Sequence, residues 1–195
     1  MGKVSTGKIY NDYCPQTLFC YGTYREDGEP NFGLFCWFSY GWTDQMCVMA
    51  CIGENKLTLD RIREKRVFSA NLVTEKLLPL ADYFGTHSGR DAGKMDVPFE
   101  WEKGQKLDVP VLKDSPVVFE LEAEQLIPLN GEGSTLLVCR ICNVLHEEFL
   151  TDKDLPVQEK LDRIAPVSTT CTTYFDWRGK MAGGWGELGK AIQGE

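Results

Sequence analysis

Two short segments carry the residue types needed to hold a phosphate. Asn55-Lys56-Leu57-Thr58 places an amide, an ammonium and a hydroxyl just ahead of the apolar spacing of Leu59 and Ile62, where a helix is expected with Thr58 as its N-cap. Ser88-Gly89-Arg90-Asp91 repeats the arrangement, with Lys94 one turn further on. It reads as the capped start of a short helix ending near Met95. Helix N-termini present unpaired N–H groups, and with Lys or Arg beside them they bind phosphate monoesters. The alternative is that Thr58 and Ser88 only cap helices while Lys56, Arg90 and Lys94 are solvated. Residue types alone leave both readings open. Other chemistries find less support. There is no Gly-x-Gly-x-x-Gly, P-loop or Gly-x-Ser-x-Gly. The only histidines are His87 and His146, expected at a loop tip and a strand end, where they read as ordinary polar residues.

The eight cysteines point away from metal. Cys139-Arg-Ile-Cys142 is the one Cys-x-x-Cys, and it lies in an expected strand, Leu136 to Leu145. Side chains three apart on a strand face opposite ways, so these thiols do not converge on one ion. The cysteines read as small buried hydrophobes in a reducing compartment. The N-terminal segment has no continuous apolar run, so no signal peptide and a cytoplasmic location are expected. The longest uncharged stretch, Pro30 to Thr43, is too short to span a bilayer. With 21 Lys+Arg against 29 Asp+Glu, a formal charge of −8 excludes non-specific binding to nucleic acid.

The elements that must position these groups are mostly strands. At 195 residues, 43% hydrophobic and 26% charged, the chain reads as one globular domain, residues 1–195. Leu18 to Tyr24 is an expected strand, turned by Arg25-Glu26-Asp27-Gly28-Glu29. Asn31 to Ser39 reads as the next strand, with Phe32, Leu34, Cys36 and Phe38 on one face. Gln45 to Ile52 is apolar on both faces and expected to be buried. After the first helix, Val67 to Val73 is a strand. Thr74 to Phe84 has helical spacing, with Pro79 in its first turn and Gly85 as the stop. Asp96 to Ser115 reads as loop. Val117 to Ala123 alternates, with Glu120 and Glu122 outward. Asn130 to Gly133 turns the chain into Thr135 to His146. A meander of at least six strands with a few short helices fits an antiparallel barrel.

Several of these segments together resemble the flavin reductase-like family, in its flavoredoxin-type branch. The resemblance rests on Gly28-x-Pro30-Asn31 leading to Trp37-Phe38, Lys56-Leu57-Thr58 with Ile62, Phe68-Ser69-Ala70-Asn71-Leu72, and Asp82 to Lys94 with its Ser-Gly-Arg-Asp-x-x-Lys. It covers roughly residues 10 to 150 and is weaker from 151 to 195. It implies a mainly β fold, an antiparallel FMN-binding split β-barrel of Greek-key type with a few short α-helices. It also implies a homodimer with flavin near the subunit interface. Lys56 and Thr58 would contact the FMN phosphate; Ser88, Gly89 and Arg90 would close over it, with Lys94 beyond. Asn31, Trp37, Phe38 and Ser39 would line the isoalloxazine ring. Cys51, Ile52, Gly53 and Asn55 would follow the ribityl chain, and Asn71 joins the cofactor-binding set. The implied function is an FMN-dependent oxidoreductase, taking electrons from NADH, NADPH or a protein donor to an acceptor. The alternative is a flavoredoxin-like electron carrier docking on a redox partner. Departures include Gly41 to Gln45 where relatives carry two prolines. Asp114-Ser115-Pro116 stands where a Glu-Cys-Pro is common, and the acidic Glu54 lies beside the phosphate residues.

Overall fold

A computed structural model describes residues 2–8, 12–129 and 133–193. In chain order it contains β1 (Gln16–Thr17), β2 (Phe19–Tyr24), β3 (Pro30–Phe35), β4 (Phe38–Trp42), β5 (Met46–Gly53), α1 (Leu57–Lys65), β6 (Val67–Leu72) and α2 (Leu78–Thr86). There follow β7 (Trp101–Lys103), β8 (Pro110–Leu112), β9 (Val117–Pro128), β10 (Ser134–His146), a 3-10 turn at Glu148–Thr151 and α3 (Val157–Ile164). The C-terminal part holds β11 (Ser168–Thr169), β12 (Thr173–Phe175), β13 (Met181–Gly184) and α4 (Lys190–Gln193).

Seven strands form one antiparallel sheet in the order β3-β2-β6-β9-β10-β5-β4. Its two edge strands, β3 and β4, are consecutive in the chain and joined only by Cys36 and Trp37. Three peptide steps reach at most about 11 Å, so the sheet must curl until its edges nearly meet. The edges do not pair with each other, which leaves the barrel split along that seam. Aromatic stacking fills the gap: Phe38 lies on Phe19 at 4.0 Å between ring centroids, and Phe35 on Tyr21 at 4.5 Å. The barrel interior is a single cluster that includes Tyr21, Ile52, Phe68, Leu121 and Leu137, capped by Leu59 and Ile62 of α1. A second cluster lies outside the barrel wall, where α2 and the four-stranded sheet β1-β11-β12-β13 cover Cys20, Phe32 and Leu112. The mainly β split-barrel architecture is the one expected.

Several local expectations are corrected. The strand read as Asn31 to Ser39 is two strands, because the chain crosses the seam at Cys36–Trp37. Phe32, Leu34 and Cys36 therefore pack outside the barrel wall and Phe38 inside it. β5 is not buried on both faces: Met46 and Met49 are exposed. Thr58 is not an N-cap. Lys56 occupies that boundary, and Thr58 lies one residue inside α1, buried. Gly85 does not stop α2 but lies within it, where a Cβ would come 2.9 Å from Leu34 Cβ; the helix ends where His87 turns extended. Residues 96–115 are not all loop, since β7 and β8 form a hairpin. Glu120 is fully buried rather than outward, because that hairpin and its turn cover its face of the sheet. Its carboxylate accepts the backbone N–H groups of Gln105, Lys106 and Leu107 at 2.5–2.9 Å. The turn expected at Asn130-Gly131-Glu132 lies outside the described residues.

Candidate functional site

A cleft of about 320 Å³ opens between β3, the start of α1 and the segment after α2. It is at the small end of ligand pockets. Lys56 and Thr58 line one wall; His87, Ser88 and Gly89 line the other, with Lys94 at the same cleft. The two segments singled out as phosphate-binding thus lie on one cavity, although 30 residues separate them in sequence.

Their local structures differ from a pair of helix starts. At the first, α1 begins at Leu57, and the Lys56 carbonyl accepts the N–H groups of Leu59 and Asp60. At the second there is no helix. Ser88 Oγ accepts Arg90 N at 3.2 Å, Asp91 accepts Ser88 N at 3.1 Å, and Gly93 adopts φ +79°. A left-handed residue at that point ends any helical run, so residues 88–96 form successive turns. Gly89 has a second reason to be glycine. A Cβ there would lie 2.5 Å from Asn31 Oδ1 and 3.1 Å from Leu57 Cβ.

Asn31 is the hinge of the cradle. It is buried, and its Nδ2 donates to Thr23 Oγ1 at 3.3 Å and to Thr58 Oγ1 at 3.2 Å. Its Oδ1, against Gly89, has no hydrogen-bond partner, which is costly for a buried acceptor. Lys94 is also buried, at 4% exposure, with Nζ donating to Phe32 O at 2.7 Å. Burial pushes its ammonium down to about 8, helped by Lys56 and Arg25 and opposed by Cys20 and Asp91. It still carries its charge at neutral pH. Such a cation with one neutral partner is costly to bury unless an anion approaches it.

Glu54 does not cancel this charge. Its carboxylate takes Thr135 Oγ1 at 2.7 Å and Arg63 Nη2 at 2.8 Å. These contacts hold it below its usual range, with the Thr135 hydroxyl as the largest cause. Arg90 is engaged elsewhere, in an ion pair with Asp60.

The remaining expected site residues fall in four places. Asn55 lines the cleft. Trp37, Ser39 and Cys51 share one face of the sheet beside it: Cys51 N donates to Trp37 O at 3.0 Å, and Ser39 pairs with Met49. Gly53 ends β5 on that same face. Phe38 and Ile52 belong to the barrel core, and Asn71 lies on the far side of β2 from the cleft. There Asn71 bonds Cys20 O, Ser69 Oγ and Leu112 N.

Sequence reasoning missed Trp185. It lines the cleft, and its backbone N–H donates to Thr172 O at 2.9 Å. It is held there through Asp82, which is fully buried in α2 and accepts Tyr174 Oη, Gly186 N and Gly189 N, each at 2.7 Å. The only signal in sequence was an aromatic bracketed by glycines, Gly183-Gly184-Trp185-Gly186. Among the described residues no cluster of His, Cys, Asp or Glu could hold a metal ion, and no helix is long and apolar enough to cross a membrane.

Solved structures with this fold include flavoredoxin of Desulfovibrio vulgaris (Miyazaki F), with TM-score 0.74 and 23% identity over 90% of this chain and 93% of that one. An FMN-binding protein from Thermus thermophilus aligns with TM-score 0.71 and 22% identity over 90% and 95%. Nitrilotriacetate monooxygenase component B from Bacillus cereus aligns with TM-score 0.76 and 15% identity over 90% and 95%. Comparison with curated protein sequences finds no match. Residues 12–160, well over half of the chain, match the flavin reductase like domain, and the protein belongs to that family.

Proposed function

We propose that the cleft binds the phosphate and ribityl chain of FMN, and that the protein is an FMN-dependent oxidoreductase. The observation that carries this is the convergence of Lys56, Lys94, Thr58 and the Ser88–Gly89 turn on one cavity beside the unpartnered Asn31 amide oxygen. The fit is chemical: two ammonium groups suit a phosphate, and a ribityl hydroxyl is the donor that Asn31 Oδ1 lacks. FMN held there supplies electron transfer between a nicotinamide or protein donor and an acceptor. The chain's own residues bind and orient it. Lys94 is fixed by Phe32 O, Thr58 by Asn31, and Trp185 shields one side from water. Arg90 closes on the phosphate from the turn once it leaves Asp60. Trp37, Ser39 and Cys51 offer the sheet face beside the cleft to the ring. His87 is fixed at the cleft wall by Tyr83: its Nδ1 lies 2.9 Å from Tyr83 O and its ring stacks on Tyr83 at 4.1 Å.

The test is the visible spectrum. Protein mixed with FMN and desalted should keep the flavin bands, and Lys56→Ala should bind about tenfold more weakly, as expected for one charge-assisted contact. A protein that cannot be loaded ends the proposal. Anaerobic addition of NADH or NADPH should then bleach the bands rapidly. Photoreduction without bleaching by either nucleotide favours the second reading, an electron carrier whose acidic surface, −8 overall, docks on a basic redox partner.

The homodimer belongs to the same proposal. Trp37, just ahead of β4, runs in one row with Cys51, Leu136 and Ile127 of β5, β10 and β9. Trp37 and Ile127 are 52% and 41% exposed, and Met49 beside them is 37% exposed. A second copy would cover this apolar face. Sedimentation should give twice the 22.0 kDa chain mass; a monomer with FMN bound removes the dimer.

A further inference from the structure

The Cys36 and Cys171 sulfurs lie 3.7 Å apart, although 135 residues separate them. Cys36 is half of the two-residue link that closes the barrel seam between β3 and β4. Cys171 is in the turn between β11 and β12 of the C-terminal sheet, exposed. That turn is firmly built. Thr169 Oγ1 donates to Thr173 O at 2.9 Å and accepts Cys171 N at 3.0 Å, and Thr170 N donates to Thr173 O at 3.1 Å. Thr169 and Thr170 are both buried. Within it Cys171 adopts φ +74°, a left-handed conformation that a side-chain-bearing residue seldom takes. The next residue, Thr172, accepts the backbone N–H of Trp185. One rigid turn therefore presents a thiol to the barrel seam and holds the tryptophan that borders the cleft.

We propose that Cys36 and Cys171 are a disulfide-forming modification site, oxidised by low-molecular-weight disulfides, whose closure locks the C-terminal sheet and Trp185 against the barrel. The link needs the sulfurs to close from 3.7 Å to about 2.0 Å by rotation of the two cysteine side chains, with the hydrogen bonds of the turn kept. The chemistry is thiol–disulfide exchange. The exposed Cys171 thiolate attacks one sulfur of a disulfide such as oxidised glutathione, forming a mixed disulfide and releasing one thiolate. Cys36 then gives up its proton and attacks Cys171 Sγ, releasing the second small thiol. Two protein thiols are oxidised and one small disulfide is reduced to two thiols. The order follows from burial. Cys36 is half-buried, and burial, with Cys171 beside it, pushes its thiol up to about 12. It serves as the resolving group and not as the first nucleophile. The disulfide itself does not depend on FMN; only its consequence for the cofactor rests on the function proposed above.

The experiment treats the full chain with oxidised glutathione, alkylates the remaining thiols and maps the peptides. The expected result is a Cys36–Cys171 linked peptide with a mass lower by two hydrogens. Alkylatable thiols fall from the eight of the sequence to six, and the link is absent in Cys36→Ser and Cys171→Gly. The glycine variant suits the left-handed turn and keeps the fold. Eight remaining thiols, a stable glutathione adduct on Cys171, or a link between any other pair overturns the site. Hydrogen exchange of the peptide spanning Trp185 should slow several-fold on oxidation of the wild type and stay unchanged in Cys171→Gly. Equal exchange in both overturns the lock. Neither readout needs bound flavin, so failure here and failure to bind FMN are separate results.

Discussion

Replacing Lys94 with methionine should weaken FMN binding by about 10- to 100-fold, the loss of one charge-assisted contact worth about 1.5–3 kcal/mol, and should leave the FMN-free protein at least as stable as wild type. The two effects have one cause. Lys94 is buried with a single neutral partner, Phe32 O, and its ammonium falls from 10.5 to about 8. That shift corresponds to a folding cost of about 3 kcal/mol at neutral pH, partly offset by a hydrogen bond worth about 1 kcal/mol. The pH dependence has a definite sign. Between about 8 and 10.5 the native state of the wild type binds fewer protons than its unfolded chain, so its stability rises with pH in that window. Methionine lacks this term. Denaturant midpoints should therefore favour Lys94→Met at pH 7, with the gap closing as pH rises above 8. A variant that is less stable at neutral pH, with unchanged FMN affinity, would show that Lys94 serves the fold and not the phosphate.

Asp82→Ala should strongly destabilise the C-terminal segment. The carboxylate has three neutral partners, Tyr174 Oη, Gly186 N and Gly189 N. Burial first, then the Asp82 carboxylate, hold the Tyr174 phenol well above its usual range, so it remains a donor at any working pH. Gly189 comes so close to α2 that a Cβ would lie 2.8 Å from Tyr83 N. The C-terminal segment is thus seated on one acidic side chain. Its removal leaves buried donors unpaired, at a cost of about 3 kcal/mol. The expected signs are a lower denaturant midpoint and faster proteolysis after Arg178 and Lys180. FMN should also dissociate faster as Trp185 leaves the cleft. Asp82→Asn, which keeps one acceptor oxygen, should fall between. An unchanged midpoint with an intact C-terminus would contradict this account.

Much of the barrel was legible because strand signals are local. The hairpin turn at Arg25–Glu29 needs only Asp27-Gly28 and its flanking apolar runs. Gly28 indeed adopts φ +86°, and Arg25 N bonds Glu29 O at 2.8 Å. The strand beginning at Asn31 was read too long for a reason no window of sequence contains. The alternation Phe32, Leu34, Cys36, Phe38 continues through the seam, and only sheet closure forces Phe38 to the other side. Glu120 misled in the same way. Next to Leu121 it looks like a solvent-facing carboxylate, until three backbone N–H groups from the β7–β8 turn, at least 13 residues away, satisfy it.

The phosphate-type residues were legible by type. Lys56, Thr58, Ser88, Gly89 and Lys94 are of the residue types that suit such an anion, and their identity is a property of the chain alone. Their roles were not. Thr58 bonds a side chain 27 residues away instead of capping its helix, Arg90 is paired with Asp60, and Asn71 braces the sheet outside the cleft. Sequence by itself determined an acidic, mainly β chain, its family, and the two segments that could hold a phosphate, because composition, alternation and short motifs are local quantities. Tertiary structure alone decided that those segments share one cavity, that Lys94 is buried in it, and that Asp82 seats Trp185 at its rim. It also set two distant cysteines in contact. These facts depend on which faces meet when a seven-stranded sheet curls on itself, and burial, pairing and proximity across that closure are written in no single stretch of residues.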